Sequence, residues 1–251
     1  MPAPSTTTRW RAVTGLLLGG VIVAVIAAAV WVLAQPQPLE IFEPAPEPTA
    51  SAETPRSTST PIPEPTTTGT LAVLGDSFVR GLGGPTDYVT VLGEELGVTT
   101  VKFGETGTGF VNYGLGLPYD QRLESVLYTQ PAGLVVQGSA NDYLTSTESV
   151  VDAARVLIEH ARDIDESLPI AIVGPIFFQY EAQPAILDQR FELEKLAEEL
   201  EVTYVDPQGW ITDETKPLYI SGDNLHPTTA GYEHIGIEMA KQLRQFAADL
   251  P

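Results

Sequence analysis

Apolar residues fall into five short runs after residue 70, at 71–74, 98–103, 133–137, 170–173 and 202–205. Most are Val, Ile and Leu without polar alternation, the pattern of strands covered on both faces. The stretches between them repeat at helical spacing. Tyr88, Val91, Leu92 and Leu96 mark one helix over 87–96, and 120–128 reads as another. Val150, Val151, Ala154, Leu157, Ile158 and Ala161 mark a helix over 147–167. Ile186, Leu187, Phe191 and Leu196 mark one over 184–200, and Ile235, Ile237, Met239, Leu243 and Phe246 mark the last, over 228–250. Strands alternating with helices imply right-handed crossovers and a five-stranded parallel sheet between two helical layers, an α/β/α fold. In such sheets functional groups collect beyond the carboxyl ends of the strands.

The first 69 residues follow other patterns. Residues 12–34 carry no charge, and about 20 apolar residues suffice to cross a bilayer as a helix. Arg9 and Arg11 precede the run, and no Lys or Arg follows before Arg56. The positive-inside rule then places 1–11 in the cytoplasm, 12–34 across the membrane and the rest outside. The competing expectation is a signal peptide cleaved near Ala34. Residues 35–69 are Pro, Thr, Glu and Ser with almost nothing to bury, and such a segment stays extended. At polyproline spacing it reaches ~100 Å, enough for a stalk.

Residues 70–251 suit one domain with its own core. The net charge of −20 and the sequence pI near 4.3 leave no basic face for nucleic acid. The absence of cysteine excludes a disulfide framework and a thiolate metal site.

Candidate chemistry lies where strands end. The first apolar run leads into Gly75-Asp76-Ser77, with glycines at 81, 83 and 84. Ser77 is either a nucleophile or the cap of the next helix. Of the three histidines, His160 and His234 lie within helical stretches and read as surface or packing residues. His226 instead precedes the last helix, three residues after Asp223. That spacing allows the carboxylate to reach Nδ1 and leaves Nε2 free to accept a proton. Gly104, Gly107 and Gly109 follow the second run, and Asn141-Asp142 follows the third. A glycine amide and the Asn141 amide are candidate donors to an oxyanion. Asp76 and Asp142 read as acceptors for loop backbone. Tyr143 and the 177–180 aromatic run line a pocket or cover the sheet. No further His or Cys accompanies Asp223 and His226 to form a metal site.

On these residues, 70–251 resembles the SGNH hydrolases, the GDSL esterase and lipase family, in a membrane-anchored bacterial type. The resemblance rests on Gly75-Asp76-Ser77 and on Asp223-Asn224-Leu225-His226-Pro227. It implies a flavodoxin-like three-layer fold and a serine hydrolase of carboxylic esters that needs no cofactor, which the charges flanking 12–34 place outside the cytoplasm. Ser77 is then the nucleophile, with His226 and Asp223 completing a triad. The Ser77 amide, the Gly107 amide and Asn141 form the oxyanion hole. A surface position, a stalk and an acidic domain suit short acyl or O-acetyl esters on polysaccharide, with lipid as a further candidate. Acyl transfer to a sugar and a non-catalytic glycan-binding module are the alternatives. Two blocks depart from the family pattern. Lys102 stands where the family has an Asn five residues before its glycine, which leaves the choice among Gly104, Gly107 and Gly109 open. Ser139-Ala140-Asn141-Asp142 replaces Gly-x-Asn-Asp, with Gly138 displaced by one.

Overall fold

The computed structural model of the chain describes residues 69–178 and 183–251. The expected membrane helix at 12–34 and the stalk up to residue 68 lie outside them. Among the described residues no helix is long and apolar enough to cross a membrane.

The five strands are β1 (Thr70–Gly75), β2 (Thr99–Gly104), β3 (Gly133–Gln137), β4 (Ile170–Val173) and β5 (Thr203–Val205). They form one parallel sheet in the order β2-β1-β3-β4-β5. The helices are α1 (Ser77–Arg80), α2 (Tyr88–Leu96), α3 (Asp120–Leu127), α4 (Thr147–Ile164), α5 (Pro184–Glu199), α6 (Lys216–Tyr219) and α7 (Thr229–Ala248). Alternate strand residues serve opposite faces. Leu71 and Val73 of β1 pack with Ala171 and Val173 of β4 against Leu92 of α2 and Ile235 and Met239 of α7. Ala72 and Leu74 pack with Ile170 and Ile172 against Leu123 of α3, Leu157 of α4 and Leu193 of α5. These two cores are the two sides of the three-layer sandwich.

Strand β2 departs from the expected double coverage. It is an edge strand, and its residues are half-buried or exposed. Its Lys102 reaches out to Asp87, with Nζ 2.5 Å from Oδ2. Helix α4 stops at Ile164, three residues short of the periodic pattern. Asp165 turns extended there, and its carboxylate takes the Ser167 amide at 3.0 Å. The one-turn helices α1 and α6 and a 3₁₀ turn at Ala140–Asp142 are too short for periodicity to reveal.

The order of strands reverses at β1. The chain leaves β1 toward β2 on one side, and leaves β3 toward β4 on the other. A crevice therefore opens between the carboxyl ends of β1 and β3. Ser77 follows β1, and Asn141 follows β3.

Candidate active site

Ser77 is the first residue of α1 and is 4% exposed. Asp76 caps that helix by accepting the Phe78 amide at 2.9 Å. A first-turn amide has no acceptor within its own helix, so the Ser77 N–H is left at the helix N-terminus. Glycines around Ser77 answer a packing need. A Cβ on Gly75 would lie 2.3 Å from Val79 Cγ2, and one on Gly104 would lie 2.3 Å from the Arg80 amide nitrogen. Both strand ends must be bare for α1 to sit across them.

Asp223 and His226 share one turn between α6 and α7. The Ser221 amide donates to the His226 carbonyl at 2.8 Å, and Thr228 caps α7. Asn224 takes a left-handed φ of 59°. His226 Nδ1 is 2.7 Å from Asp223 Oδ2, and His226 Nε2 is 3.0 Å from Ser77 Oγ. The other carboxylate oxygen, Asp223 Oδ1, accepts from Ser221 Oγ at 2.7 Å and from the Leu225 and His226 amides, both at 2.9 Å. Burial acts to raise the Asp223 carboxyl. The hydrogen bonds from His226, Ser221 and the backbone outweigh it and hold the group well below the usual carboxylate range.

The loops after β2 and β3 meet at Thr108. Its carbonyl accepts Asn141 Nδ2 at 3.0 Å and lies 2.9 Å from Ser139 Oγ. Asn141 Nδ2 also lies 2.9 Å from Ser139 Oγ and 3.3 Å from Asp76 Oδ2. The three glycines after β2 now separate. Gly104 is pressed against α1, as above. Gly109 donates its amide to the Asn112 carbonyl at 2.9 Å and lies against the Asp142 carboxylate. Gly107 has a φ of +76°, its carbonyl accepts Asn112 Nδ2 at 2.6 Å, and its amide makes no hydrogen bond to a described residue. Between Gly107 and Gly109, Gly107 has the amide free to meet a ligand.

Both extra carboxylates are acceptors for the loops, as their positions suggest. Asp142 takes the amides of Phe110, Val111 and Asn112 at 2.8, 3.2 and 2.8 Å. Asp76 takes Ser139 Oγ at 2.6 Å and Gln137 Nε2 at 3.2 Å besides the Phe78 amide. Burial raises both carboxyls above their ordinary value, and these hydrogen bonds oppose it. His234 is a packing residue, stacked 4.4 Å from the Tyr219 ring and bonded to the Trp210 carbonyl at 2.7 Å. His160 sits half-buried on α4, apart from these contacts. Among the described residues no group of three or more His, Cys, Asp or Glu could hold a metal.

The polar contacts of Ser139, Gln137, Tyr88 and Arg122 around the site do not show in the sequence pattern. Tyr88 donates to Gln137 Oε1 at 2.7 Å, and Gln137 passes the contact to Asp76. Ser139 caps the 3₁₀ turn by accepting the Asn141 amide at 3.1 Å, the task its position in the displaced block leaves to it. Arg122 had a signal. Tyr119, Arg122, Leu123 and Val126 follow i, i+3, i+4, i+7 spacing, so a cation occupies the buried face of α3.

A parallel α/β/α sheet with a hydrogen-bonded Ser-His-Asp chain at its switch point defines a serine hydrolase. The profile of the GDSL-like lipase/acylhydrolase family matches residues 73–234, and the chain belongs to that family. It is a serine hydrolase acting on ester bonds. A search of curated proteins finds no match. Among solved structures it is similar to the psychrotrophic esterase EstA from Pseudoalteromonas sp., with 15% identity, a TM-score of 0.59, and 72% of this chain and 100% of that one covered. The lipase/acylhydrolase from Enterococcus faecalis gives 15% identity and 0.58 over 71% and 96% of the two chains. A family 3 carbohydrate esterase from Clostridium thermocellum gives 16% and 0.56 over 72% and 97%. At these identities the likeness is one of fold.

Proposed function

We propose that the chain hydrolyses carboxylic esters outside the cytoplasmic membrane through Ser77, His226 and Asp223. The observation that carries this reading is the unbroken chain from Ser77 Oγ through His226 at 3.0 Å to Asp223 at 2.7 Å. Ser77 Oγ attacks the acyl carbonyl while its proton passes to His226 Nε2. The Ser77 and Gly107 amides and Asn141 Nδ2 receive the oxyanion. Collapse of the tetrahedral adduct expels the alcohol, which takes the proton from His226. A water then attacks the acyl-serine and gives its proton to His226. The acid leaves and Ser77 regains its hydrogen. Asp223 holds the Nδ1–H tautomer and faces the imidazolium as it forms. No step calls for a cofactor.

The segment 12–34 is the anchor and 35–69 the stalk in this reading. Protease added to intact cells is expected to release the domain, and a domain that stays protected would overturn the orientation. The acidic, stalked domain suits short acyl or O-acetyl esters on envelope glycans. A specific observation favours a second acyl class. Leu115 and Leu144 are 87% and 84% exposed, one on the loop packed over Gly107 and the other three residues past Asn141. Two bare leucines beside both oxyanion loops favour a longer apolar acyl chain. The full chain assayed on p-nitrophenyl acetate, butyrate, octanoate and palmitate, beside Ser77→Ala, decides between them. Cleavage lost in Ser77→Ala and falling with chain length supports the short-acyl substrate. Cleavage rising with length supports the apolar one. Wild-type turnover by Ser77→Ala would refute the mechanism.

A further inference from the structure

We propose that Arg122 is a positioning residue that sets the oxyanion loops against the nucleophile strand; this rests on the esterase reading above. Arg122 comes from α3, outside the catalytic blocks, and is 6% exposed. Its Nη1 donates to the Phe103 carbonyl at 2.9 Å. Its Nη2 donates to the Gly75 carbonyl at 3.0 Å and to Thr108 Oγ1 at 3.1 Å. One planar fork therefore ties the last peptides of β1 and β2 to the loop that follows β2. Gly75 is one residue from Asp76 and two from Ser77. Thr108 adjoins Gly107, and its carbonyl holds Asn141 Nδ2. Each proposed oxyanion donor is thus at most a few bonds from a group that Arg122 fixes.

Two observations separate this role from plain stabilisation. The acceptors are neutral oxygens, and the nearest carboxylate oxygen, from Glu105, stands 3.9 Å from Nε, which makes no hydrogen bond. A buried guanidinium without a close ion pair is an expensive way to fill space on an apolar face, where a hydrophobic residue would serve as well. What the guanidinium supplies is a rigid three-way geometry that no apolar side chain or single ammonium can give. The β2 exit also lacks a side chain of its own for the task, because Lys102 is turned away to Asp87.

The test uses the full chain with Arg122→Met and Arg122→Lys, measured for kcat, KM, melting temperature and rate of labelling by a fluorophosphonate. An interaction felt only in the transition state lowers kcat and spares KM. A misplacement of about 1 Å in such a site costs about 10²-fold. Arg122→Met is therefore expected to lose about 10²-fold in kcat with KM within about twofold, and to label more slowly in parallel. Arg122→Lys is expected between the two, since one ammonium cannot span three acceptors. A folded Arg122→Met with wild-type kcat would overturn the inference, as would a loss expressed in KM alone. If Arg122→Met does not fold, Thr108→Val removes one acceptor of the fork while keeping the Thr108 carbonyl. A kcat about tenfold lower at constant KM supports the inference, and wild-type kcat overturns it. Ser77→Ala separates the two levels. Turnover that survives it refutes the esterase reading together with this role. Serine-dependent turnover untouched by the Arg122 and Thr108 variants refutes this role alone.

Discussion

Replacing Asp223 by Asn probes the triad at the member farthest from the ester. In the native turn Oδ1 already has three donors, Ser221 Oγ and the Leu225 and His226 amides. The asparagine oxygen will stay with those donors, which turns the new NH₂ toward His226 Nδ1, 2.7 Å from the atom it replaces. Two donors cannot face each other at that distance. The imidazole must then present a lone pair at Nδ1 and carry its proton on Nε2, 3.0 Å from Ser77 Oγ. In that tautomer Nε2 cannot take the serine proton. The same change in Ser-His-Asp enzymes lowers kcat by about 10⁴, or about 5 kcal/mol of barrier. The Asp223 side chain is 51% exposed, so the melting temperature is expected to stay near wild type. Turnover of p-nitrophenyl butyrate and fluorophosphonate labelling should fall together. A folded Asp223→Asn enzyme within about tenfold of wild-type kcat would show that His226 does not depend on Asp223 for its tautomer.

Two further outcomes follow from the loops. Asn141→Ala removes one proposed oxyanion donor and is expected to lower kcat by about 10²–10³; steady-state kinetics giving less than a tenfold loss would remove Asn141 from the hole. Asp76 bears on pH. Burial raises its carboxyl against the hydrogen bonds from Ser139, Phe78 and Gln137. A folded value above the unfolded one, about 3.9, favours the fold most below that pH, and this contribution is lost as pH rises through the folded value. Asp76→Asn deletes it, so the change in unfolding free energy from pH 4 to pH 7, by urea titration, becomes more positive than in wild type. An unchanged difference would show that Asp76 titrates alike in both states.

Long periodic segments are legible in the sequence. All five strands and the main helices lie within a few residues of where the apolar spacing puts them, because all but the edge strand β2 bury a stripe or a face. The pieces that spacing did not yield are those held by particular side chains. Helix α1 is one turn made by the Asp76 cap and two bare glycines. The end of α4 was set by an Asp165 carboxylate turn. The meeting of Ser77, Asp223 and His226 in one hydrogen-bonded chain was legible, because such a chain needs fixed residue types at strand exits. Which of Gly104, Gly107 and Gly109 presents a free amide is less legible, since it depends on how the folded loop hydrogen-bonds. Asp76's partners Ser139 and Gln137 were likewise hidden, because their link to it spans more than 60 residues of sequence.

The turn that carries both Asp223 and His226 has a mechanical consequence. The base and the group that orients it lie three residues apart and are indexed to each other by their own backbone, whereas the nucleophile belongs to the buried end of the sheet. The proposed catalytic groups therefore come from two separately built parts, joined at the 3.0 Å contact between Nε2 and Oγ and flanked by the His226 ring on Phe78 and the Tyr232 hydroxyl on the Leu82 carbonyl. Displacing the α6–α7 segment would part His226 from Ser77 without breaking the contact between His226 and Asp223.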